Sequence, residues 1–138
     1  MMFIFMELFS IFMHKYLQHG PLWVLHKDHH IYEEGPFEKN DAFSFMFSII
    51  SFLLIVTGIF SGFNFKLFLG IGMLFYGIGY FLYHDIVFHG RIQIRYEPNN
   101  RYLRRVLNAH AQHHQKSTAN SGVSFGFFFV GKEYDVME

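Results

Sequence analysis

The stretch AFSFMFSIISFLLIVTGIFSGFNF, residues 42–65, decides the fold because it carries no formally charged side chain. About 20 predominantly apolar residues suffice for a helix to cross the hydrocarbon core of a bilayer. Residues 42–65 therefore predict a transmembrane helix. The composition of the whole chain agrees: 51% of its 138 residues are hydrophobic and 20 are phenylalanine, which is more apolar surface than a small soluble domain readily buries.

A second apolar stretch, residues 67–83, follows the single Lys66. Four of its residues are glycines, which permit close helix contacts inside a bilayer: Gly70, Gly72, Gly77 and Gly79. The linker SGFNFK is so short that the two spans predict a hairpin with both outer ends on one side of the membrane. Ten of the eleven lysines and arginines lie outside the hairpin. By the positive-inside rule, the outer ends face the cytoplasm.

Three other segments flank this hairpin. Residues 2–19 predict one helix, although Glu7 and Lys15 make it a poor lipid-exposed span. Residues 101–114, RYLRRVLNAHAQHH, predict a helix that begins after the turn signal EPNN. Residues 123–130 are apolar but short, which fits an interfacial or re-entrant piece. The prediction is an all-α integral membrane protein that forms a single domain over residues 1–138.

Composition excludes several functional classes. The chain has no cysteine, so disulfide scaffolds, thiol catalysis, Fe–S clusters, thiolate-ligated haem and thiolate zinc sites are ruled out. Its formal net charge is zero and it has no long basic run, so nucleic-acid binding has no support. Any metal site must be built from nitrogen and oxygen ligands.

The ten histidines are the most informative residues. They fall into four clusters that repeat the pattern HxxxxH followed by HxxHH twice: HKYLQH (His14, His19), HKDHH (His26, His29, His30), HDIVFH (His84, His89) and HAQHH (His110, His113, His114). In HxxHH on a helix, positions i, i+3 and i+4 project from one face, so three imidazoles can converge on one centre.

The HxxxxH spacing poses a geometric problem. Five residues at about 100° each place the two rings roughly 140° apart on an α-helix. A single helix therefore cannot direct both rings at one ion unless a bulge or a helix end lies between them. The pair either bridges two metals or has its second histidine just past a helix terminus.

Two copies of a five-histidine set predict a two-metal site, because one ion with six or fewer ligands cannot use ten rings. The predicted hairpin brings the N-terminal and C-terminal sets to the same membrane face. Imidazole suits zinc, copper and nickel as well as iron, so the spacing alone leaves the metal open. An all-nitrogen site in a lipophilic setting favours iron and O2-dependent attack on C–H bonds, with a zinc or metal-storage site as the alternative.

Several stretches together resemble a known family along nearly the whole chain. HKYLQHGPLWVLHKDHH (14–30), EKNDAF (38–43), the segment ending in YFLYHD and AHAQHH followed by SGVSFGF (109–127) are similar to the bacterial β-carotene 3-hydroxylases. These enzymes belong to the fatty-acid hydroxylase and sterol desaturase superfamily. The resemblance implies a non-haem di-iron monooxygenase that converts β-carotene to β-cryptoxanthin and zeaxanthin, with all ten histidines as iron ligands.

The same resemblance implies O2 as co-substrate, a ferredoxin-type electron donor and no catalytic residue beyond the metal ligands. It places the enzyme in a bacterial inner membrane, among lipid and its carotenoid substrate, and the distribution of lysine and arginine predicts that the metal site faces the cytoplasm. Two alternatives remain open from the residues: hydroxylation or desaturation of a fatty acyl chain or sterol by the same centre, and a non-catalytic metal-binding membrane protein.

A few other polar residues are candidates for supporting roles. Glu7 is either functional or a group at the membrane interface, because it lies within an apolar segment. Asp85 is the first candidate to orient a histidine through its second ring nitrogen, ahead of Asp28 and Asp41. A basic patch is a candidate docking surface for an acidic electron donor or for anionic lipid, or else a set of topology charges: Arg101, Arg104 and Arg105.

Overall fold

Five α-helices form most of the regular structure in the computed structural model. They are α1 (Met2–Phe12), α2 (Trp23–His30), α3 (Asp41–Phe60), α4 (Phe65–Tyr80) and α5 (Arg101–His114). Two π-helical segments extend them, π1 (Met13–Gln18) after α1 and π2 (Phe81–Phe88) after α4, and a 3₁₀ turn covers Lys132–Tyr134. The structure describes residues 1–31, 37–94, 96–116, 118–119 and 122–136, and in these ranges it contains no β-strand. The prediction of an all-α protein is confirmed for these ranges.

The predicted helical hairpin consists of α3 and α4, which pack side by side. Within the described residues, two continuous helices are long and apolar enough to cross a membrane, Asp41–Phe60 and Phe65–Phe88. The turn between them places Gly62 at φ +83° and Phe63 at φ +58°, and Asn64 then caps α4 by accepting a hydrogen bond from the Lys66 N–H at 3.0 Å.

Glycine permits close approach at only some of the predicted positions. A Cβ added to Gly70 would lie 2.8 Å from the Ser51 carbonyl oxygen, and the Ser51 hydroxyl donates to the Gly70 carbonyl at 2.8 Å. At Gly77 an added Cβ would meet nothing within 4 Å. The expectation of close helix contact is therefore confirmed at Gly70 and wrong at Gly77, which faces open space.

Helix α1 packs against α4 with one face and leaves its opposite, apolar face exposed. Met6 of α1 packs with Met73 and Tyr76 of α4 in a small buried cluster. The opposite face of α1 leaves Phe5 and Leu8 more than half exposed, at 56% and 58%. Residues 2–18 form one continuous helix, as predicted, except that its last part is π-helical.

Helix α5 spans the predicted residues. It begins after Asn100, whose side-chain oxygen accepts hydrogen bonds from the backbone N–H groups of Tyr102 at 2.8 Å and Leu103 at 3.3 Å. The asparagine therefore satisfies two of the free donors at the helix start. After α5, the 122–130 segment is irregular and returns to α1 and α4, where Phe128 contacts Tyr76.

Candidate metal centre

The structure brings all ten histidines into two groups of five. Within each group, the nitrogens that face the centre lie within 4.8 Å of one another. Group I consists of His14, His19, His26, His30 and His113. Group II consists of His29, His84, His89, His110 and His114. Each group has enough donors in a small volume to hold one metal ion.

The groups do not follow the two sequence repeats. His113 belongs to group I with four histidines of the first repeat, and His29 belongs to group II with four of the second. The expectation that each HxxHH converges on one centre is therefore wrong. On a helix, residue i+4 lies about 40° from residue i, whereas residue i+3 lies about 60° away in the other direction. The i/i+4 pair accordingly serves one group and the i+3 histidine serves the other.

The two HxxxxH pairs each serve one group because the backbone is π-helical there. The His19 N–H donates to the His14 carbonyl at 2.9 Å, and the His89 N–H donates to the His84 carbonyl at 3.0 Å. A backbone bond from i+5 to i closes a wider turn than in an α-helix and places the two residues above one another. Of the alternatives considered, the bulge and the helix end both apply, since His19 and His89 directly follow π1 and π2. The pairs do not bridge between groups.

Backbone carbonyls orient three imidazoles of group I. The Nδ1 atoms of His14, His19 and His113 donate to the carbonyl oxygens of residues 125, 119 and 123 at 3.0, 3.0 and 2.8 Å. A fourth imidazole of this group, His26, donates from Nδ1 to the Asn40 side-chain oxygen at 2.7 Å. All four partners are neutral oxygen atoms.

Carboxylates orient two imidazoles of group II. His29 Nδ1 donates to Glu38 Oε2 at 2.9 Å, and His84 Nδ1 donates to Asp85 Oδ1 at 2.7 Å. A carboxylate partner fixes the tautomer and raises the basicity of the opposite ring nitrogen. Group II is therefore held by negatively charged partners where group I has neutral ones.

The tautomers leave bare nitrogens directed at one another. Since an oxygen acceptor requires a proton on Nδ1, the Nε2 atom of each such neutral ring carries a lone pair. His14 Nε2 lies 3.1 Å from His26 Nε2, and His29 Nε2 lies 3.0 Å from His84 Nε2. Two lone pairs at this distance repel unless a cation lies between or beside them. The ten residues therefore fit a pair of metal ions chemically.

Burial keeps these imidazoles in the neutral form that binds metals. Removal from water lowers the pKa of His26 to about 3 and the pKa values of His89 and His113 to about 4. These rings are uncharged near neutral pH, when an exposed histidine already carries a fraction of a proton. Metal binding at pH 7 therefore displaces no proton from them.

The predicted orienting residues are partly correct. Asp85 accepts a hydrogen bond from His84, as expected. Asp28 instead accepts from the backbone N–H of Lys39 at 2.6 Å, and Asp41 accepts from Arg91 at 3.0 Å, so these two carboxylates do not orient an imidazole. The residues that sequence reasoning missed are Glu38 and Asn40, which stand in the EKND segment that precedes the first span.

Arg91 connects the carboxylates near group II. Its guanidinium contacts Glu38 Oε2 at 3.0 Å and Asp41 Oδ1 at 2.7 Å. Because Glu38 also accepts from His29, the arginine fixes the carboxylate that orients a group II imidazole. Its backbone N–H donates to the Asp85 carbonyl at 3.1 Å, which ties the chain after π2 to the same place.

Glu7 is fully buried inside the protein. Its side chain has 0% exposure, and Oε1 accepts hydrogen bonds from the backbone N–H groups of residues 127, 128 and 129 at 3.0, 2.8 and 2.8 Å. Oε2 accepts from the Tyr76 hydroxyl at 2.8 Å. Glu7 therefore fixes the 122–130 segment, whose carbonyls orient His14 and His113.

The arginines at the start of α5 have partners inside the protein. Arg101 and Arg105 contact the Asp135 carboxylate at 3.0 and 2.6 Å, and Arg104 donates to the Pro98 carbonyl at 2.8 Å. Their role in docking an electron donor stays a prediction. Any acidic partner would compete with Asp135 for two of them.

Comparison with known proteins identifies the family. The sequence model of the family described as fatty acid hydroxylase matches residues 1–131. The chain belongs to this family. It is similar to the "Beta-carotene hydroxylase" of Pantoea ananas, with 39% identity over 125 residues that cover 91% of this chain and 71% of the relative. No solved structure matches the chain.

Two further relatives extend the similarity across kingdoms. The "Beta-carotene hydroxylase" of Paracoccus sp. (strain PC1) is 36% identical over 91% of this chain and 77% of the relative. The "Beta-carotene 3-hydroxylase 1, chloroplastic" of Arabidopsis thaliana is 33% identical over 94% of this chain, which covers 42% of that longer protein. Together with the histidine groups, membership of this family indicates a metal-using hydroxylase, and thus an oxidoreductase.

A hydroxylase needs space for its substrate beside the metals, and an apolar cavity of about 500 Å³ lies between α1, α3 and α4. It reaches from Asn40 to Ile55 along α3, a helical distance of about 20 Å. Its inner end includes Asn40 and Asp85, the partners of His26 and His84. The cavity is therefore elongated and ends beside the metal centre.

Proposed function

We propose that this hydroxylase is a β-carotene 3-hydroxylase, which inserts one oxygen atom of O2 at C3 of each β-ionone ring. The products would be β-cryptoxanthin and then zeaxanthin. The observation that carries the proposal is the position of two five-histidine groups at the end of an elongated apolar cavity. The similarity to bacterial relatives named beta-carotene hydroxylase, at 36–39% identity, supports the choice of substrate.

Two non-haem iron ions are the proposed cofactors, with all ten histidines as ligands. Imidazole nitrogen is a common ligand of iron, and the Nε2 lone pairs described above face the two centres. Bound iron would supply O2 activation. The chain itself holds the rings in the required tautomer, excludes water by burial and places the hydrocarbon beside the metals. No further side chain is proposed to react with the substrate.

The reaction requires an external source of electrons. Each turnover converts one C–H bond to C–OH, and the second oxygen atom leaves as water after uptake of two electrons and two protons. We propose a ferredoxin-type protein as the donor, because none of the residues at the centre is a redox group. Purified hydroxylase would then show no sustained turnover with O2 and substrate alone. Turnover should begin when a reduced donor is added.

We propose that α3 and the continuous helix of α4 and π2 cross a bacterial inner membrane, with the metal centre on the cytoplasmic side. The excess of lysine and arginine outside the hairpin supports this orientation. The exposed apolar face of α1 supports contact with lipid as well. In this arrangement residues 1–138 act as one membrane-embedded domain, and a lipid-dissolved substrate reaches the cavity without crossing water.

Co-expression with a β-carotene pathway tests the function. Pigment chromatography of the host should show β-cryptoxanthin and zeaxanthin, and a His113→Ala variant present in the membrane in equal amount should leave β-carotene unaltered. Unaltered β-carotene in the presence of iron-loaded wild-type protein and a reduced donor would contradict the proposal. Retained activity in the variant would remove His113 from the ligand set.

A second candidate is hydroxylation or desaturation of a fatty acyl chain or sterol. It is favoured by the family description and by a cavity whose lining does not distinguish one long hydrocarbon from another. Lipid extracts of the same expressing cells separate the two, because modified acyl chains or sterols would appear in place of xanthophylls. A non-catalytic metal-binding protein would bind metal but would not couple O2 uptake to loss of any substrate.

A further inference from the structure

Phe127 lies between the two histidine groups. Its ring stacks on His14 of group I with a centroid distance of 5.3 Å and an interplanar angle of 5°. It also meets His84 of group II edge-on, at 5.2 Å and 88°. No other described aromatic side chain outside the histidines stacks on one group while touching the other in this way.

Tyr80 completes an aromatic pair with Phe127. The two rings meet at 4.8 Å and 85°, and Tyr80 stacks on His84 at 4.3 Å and 23°. We call Tyr80 and Phe127 the aromatic wall. It covers the ligand His84 on the side that faces the apolar cavity.

The aromatic wall separates two spaces. Both residues line the large apolar cavity. Both also line a smaller space of about 20 Å³ beside His84 and His110. A substrate that fills the large cavity would therefore meet the wall before it reaches the imidazoles of group II.

The wall is held in place from outside the site. The Phe127 backbone N–H donates to the buried Glu7 carboxylate at 3.0 Å, and Tyr80 is the last residue of α4, directly before π2. Both positions are thus set by contacts that do not involve the substrate. The two rings also pack on each other and on His14 and His84, which restricts their rotation.

A hydrocarbon ring has no hydrogen-bonding group by which the enzyme could orient it. Asn40 and Asp85, which line the cavity, already accept hydrogen bonds from His26 and His84. The choice between neighbouring ring carbons must therefore come from shape. For comparison, one extra or missing methylene group in a hydrophobic pocket changes discrimination between substrates by roughly 10- to 200-fold.

We infer that the aromatic wall determines which carbon of the substrate ring is hydroxylated. The terminal ring of a long hydrocarbon rests against Tyr80 and Phe127, and the bulk of these two side chains limits how far the ring advances toward the metals. This inference rests on the proposed function. It assigns Tyr80 and Phe127 a role in specificity, distinct from the ligands.

Variants that thin the wall test the inference. Phe127→Leu and Phe127→Ala should let the ring advance, so that products hydroxylated at C2 or C4 rise at least about 10-fold relative to the C3 product. Tyr80→Leu should act in the same direction, whereas Tyr80→Phe keeps the ring and should keep the ratio. Phe75→Ala is the matched control, because Phe75 of α4 is 63% exposed and does not line the cavity, so its loss should leave the C3 preference intact.

Two measurements besides product analysis distinguish a change in specificity from a loss of metal or of substrate binding. Metal content should stay at the wild-type value in Phe127→Leu, and the affinity of the metal-free protein for β-carotene, followed by visible absorption, should change less than the product ratio. If metal is retained and every variant still yields only the C3 product, the inference is wrong even though the enzyme hydroxylates carotene. If the wild type yields no xanthophyll at all, the proposed function itself fails, and this inference fails with it.

Discussion

Group I and group II contain equal numbers of imidazoles but are supported in different ways. Group I relies on backbone carbonyls that lie about a hundred residues along the chain from His14 and His19, whereas group II relies on the carboxylates of Glu38 and Asp85. Backbone support depends on how the 122–130 segment packs. Carboxylate support depends on charge. The orientation of the imidazoles is therefore sensitive to packing in group I and to electrostatics in group II.

The largest expected effect on metal content and hydroxylation comes from removing proposed ligands, singly and in pairs. Pairs of substitutions also test which histidines share an ion. His14→Ala and His113→Ala should each lower the metal content from two ions to one per chain, and the double variant should also retain one. Residues that act as one unit are non-additive in this way. Hydroxylation should fall more than about 100-fold in all three, beyond the loss caused by outer hydrogen-bond partners. Metal analysis of purified protein provides the measurement.

His14→Ala combined with His29→Ala is the matched control for this experiment. These two histidines belong to different groups, so the double variant should lose both ions. If the groups followed the sequence repeats, His14 and His29 would share an ion and this variant would retain one. That result would overturn the crossed arrangement.

Glu7→Ala is expected to weaken group I more than group II. The change leaves three backbone N–H groups and the Tyr76 hydroxyl without their acceptor, which costs about 3 kcal/mol or more in the free energy of unfolding. Since the released segment carries the carbonyls that orient His14 and His113, the ion of group I should be lost first. Unfolding in mixed micelles and metal analysis check both effects.

Glu7→Gln is the control for that variant, since its amide oxygen can still accept the backbone hydrogen bonds. It should retain most of the stability and both ions. Equal loss of metal from both groups in Glu7→Ala would show that Glu7 supports the fold in general rather than group I in particular.

Neutralising a carboxylate that accepts a hydrogen bond from a group II imidazole should have a smaller effect, on the affinity for metal. In a His14→Ala background, where the remaining ion belongs to group II, Glu38→Gln or Asp85→Asn should lower metal affinity about 10- to 100-fold. Competition with a chelator measures it. Asn40→Asp in the same background should have little effect, because Asn40 supports His26 of group I. An equal loss in that control would mean that charge acts on the whole centre.

Arg91→Lys should produce the smallest change in metal affinity. Lysine cannot reproduce the fork that contacts Glu38 and Asp41 together, and a partly exposed ion pair is worth up to about 1 kcal/mol. We expect a two- to fivefold loss of affinity in group II by the same chelator competition. Arg101→Lys, which alters a pair with Asp135 away from the histidines, should not change it.

Local sequence patterns were sufficient for the helices. The bounds of α5 follow from the cap at Asn100 and the helical periodicity up to His114, and the hairpin follows from two charge-poor stretches with a short turn. These signals are local, because each one depends on residues within a few turns of one another. The set of histidines that meet was predictable for a similar reason, since the hairpin limits where their segments lie.

The division of the histidines between group I and group II could not be predicted without the tertiary structure. The phase difference between i+3 and i+4 is present in the sequence, but only the placement of α2 beside α5 shows that His29 and His113 exchange groups. The carbonyl partners of group I were not predictable, because every residue has a carbonyl and its use leaves no signature in side chains. Glu38 carried a weak signal, as an acidic residue nine positions after His29.

The exchange of His29 and His113 also bears on how the protein matures during synthesis. A chain that has emerged only through the hairpin of α3 and α4 lacks His113 and the carbonyls that hold group I, and it lacks His110 and His114 of group II. Neither metal position exists as a complete set until the ribosome has passed α5. The imidazoles of the earlier helices therefore stay in incomplete groups until the last quarter of the chain has been synthesised.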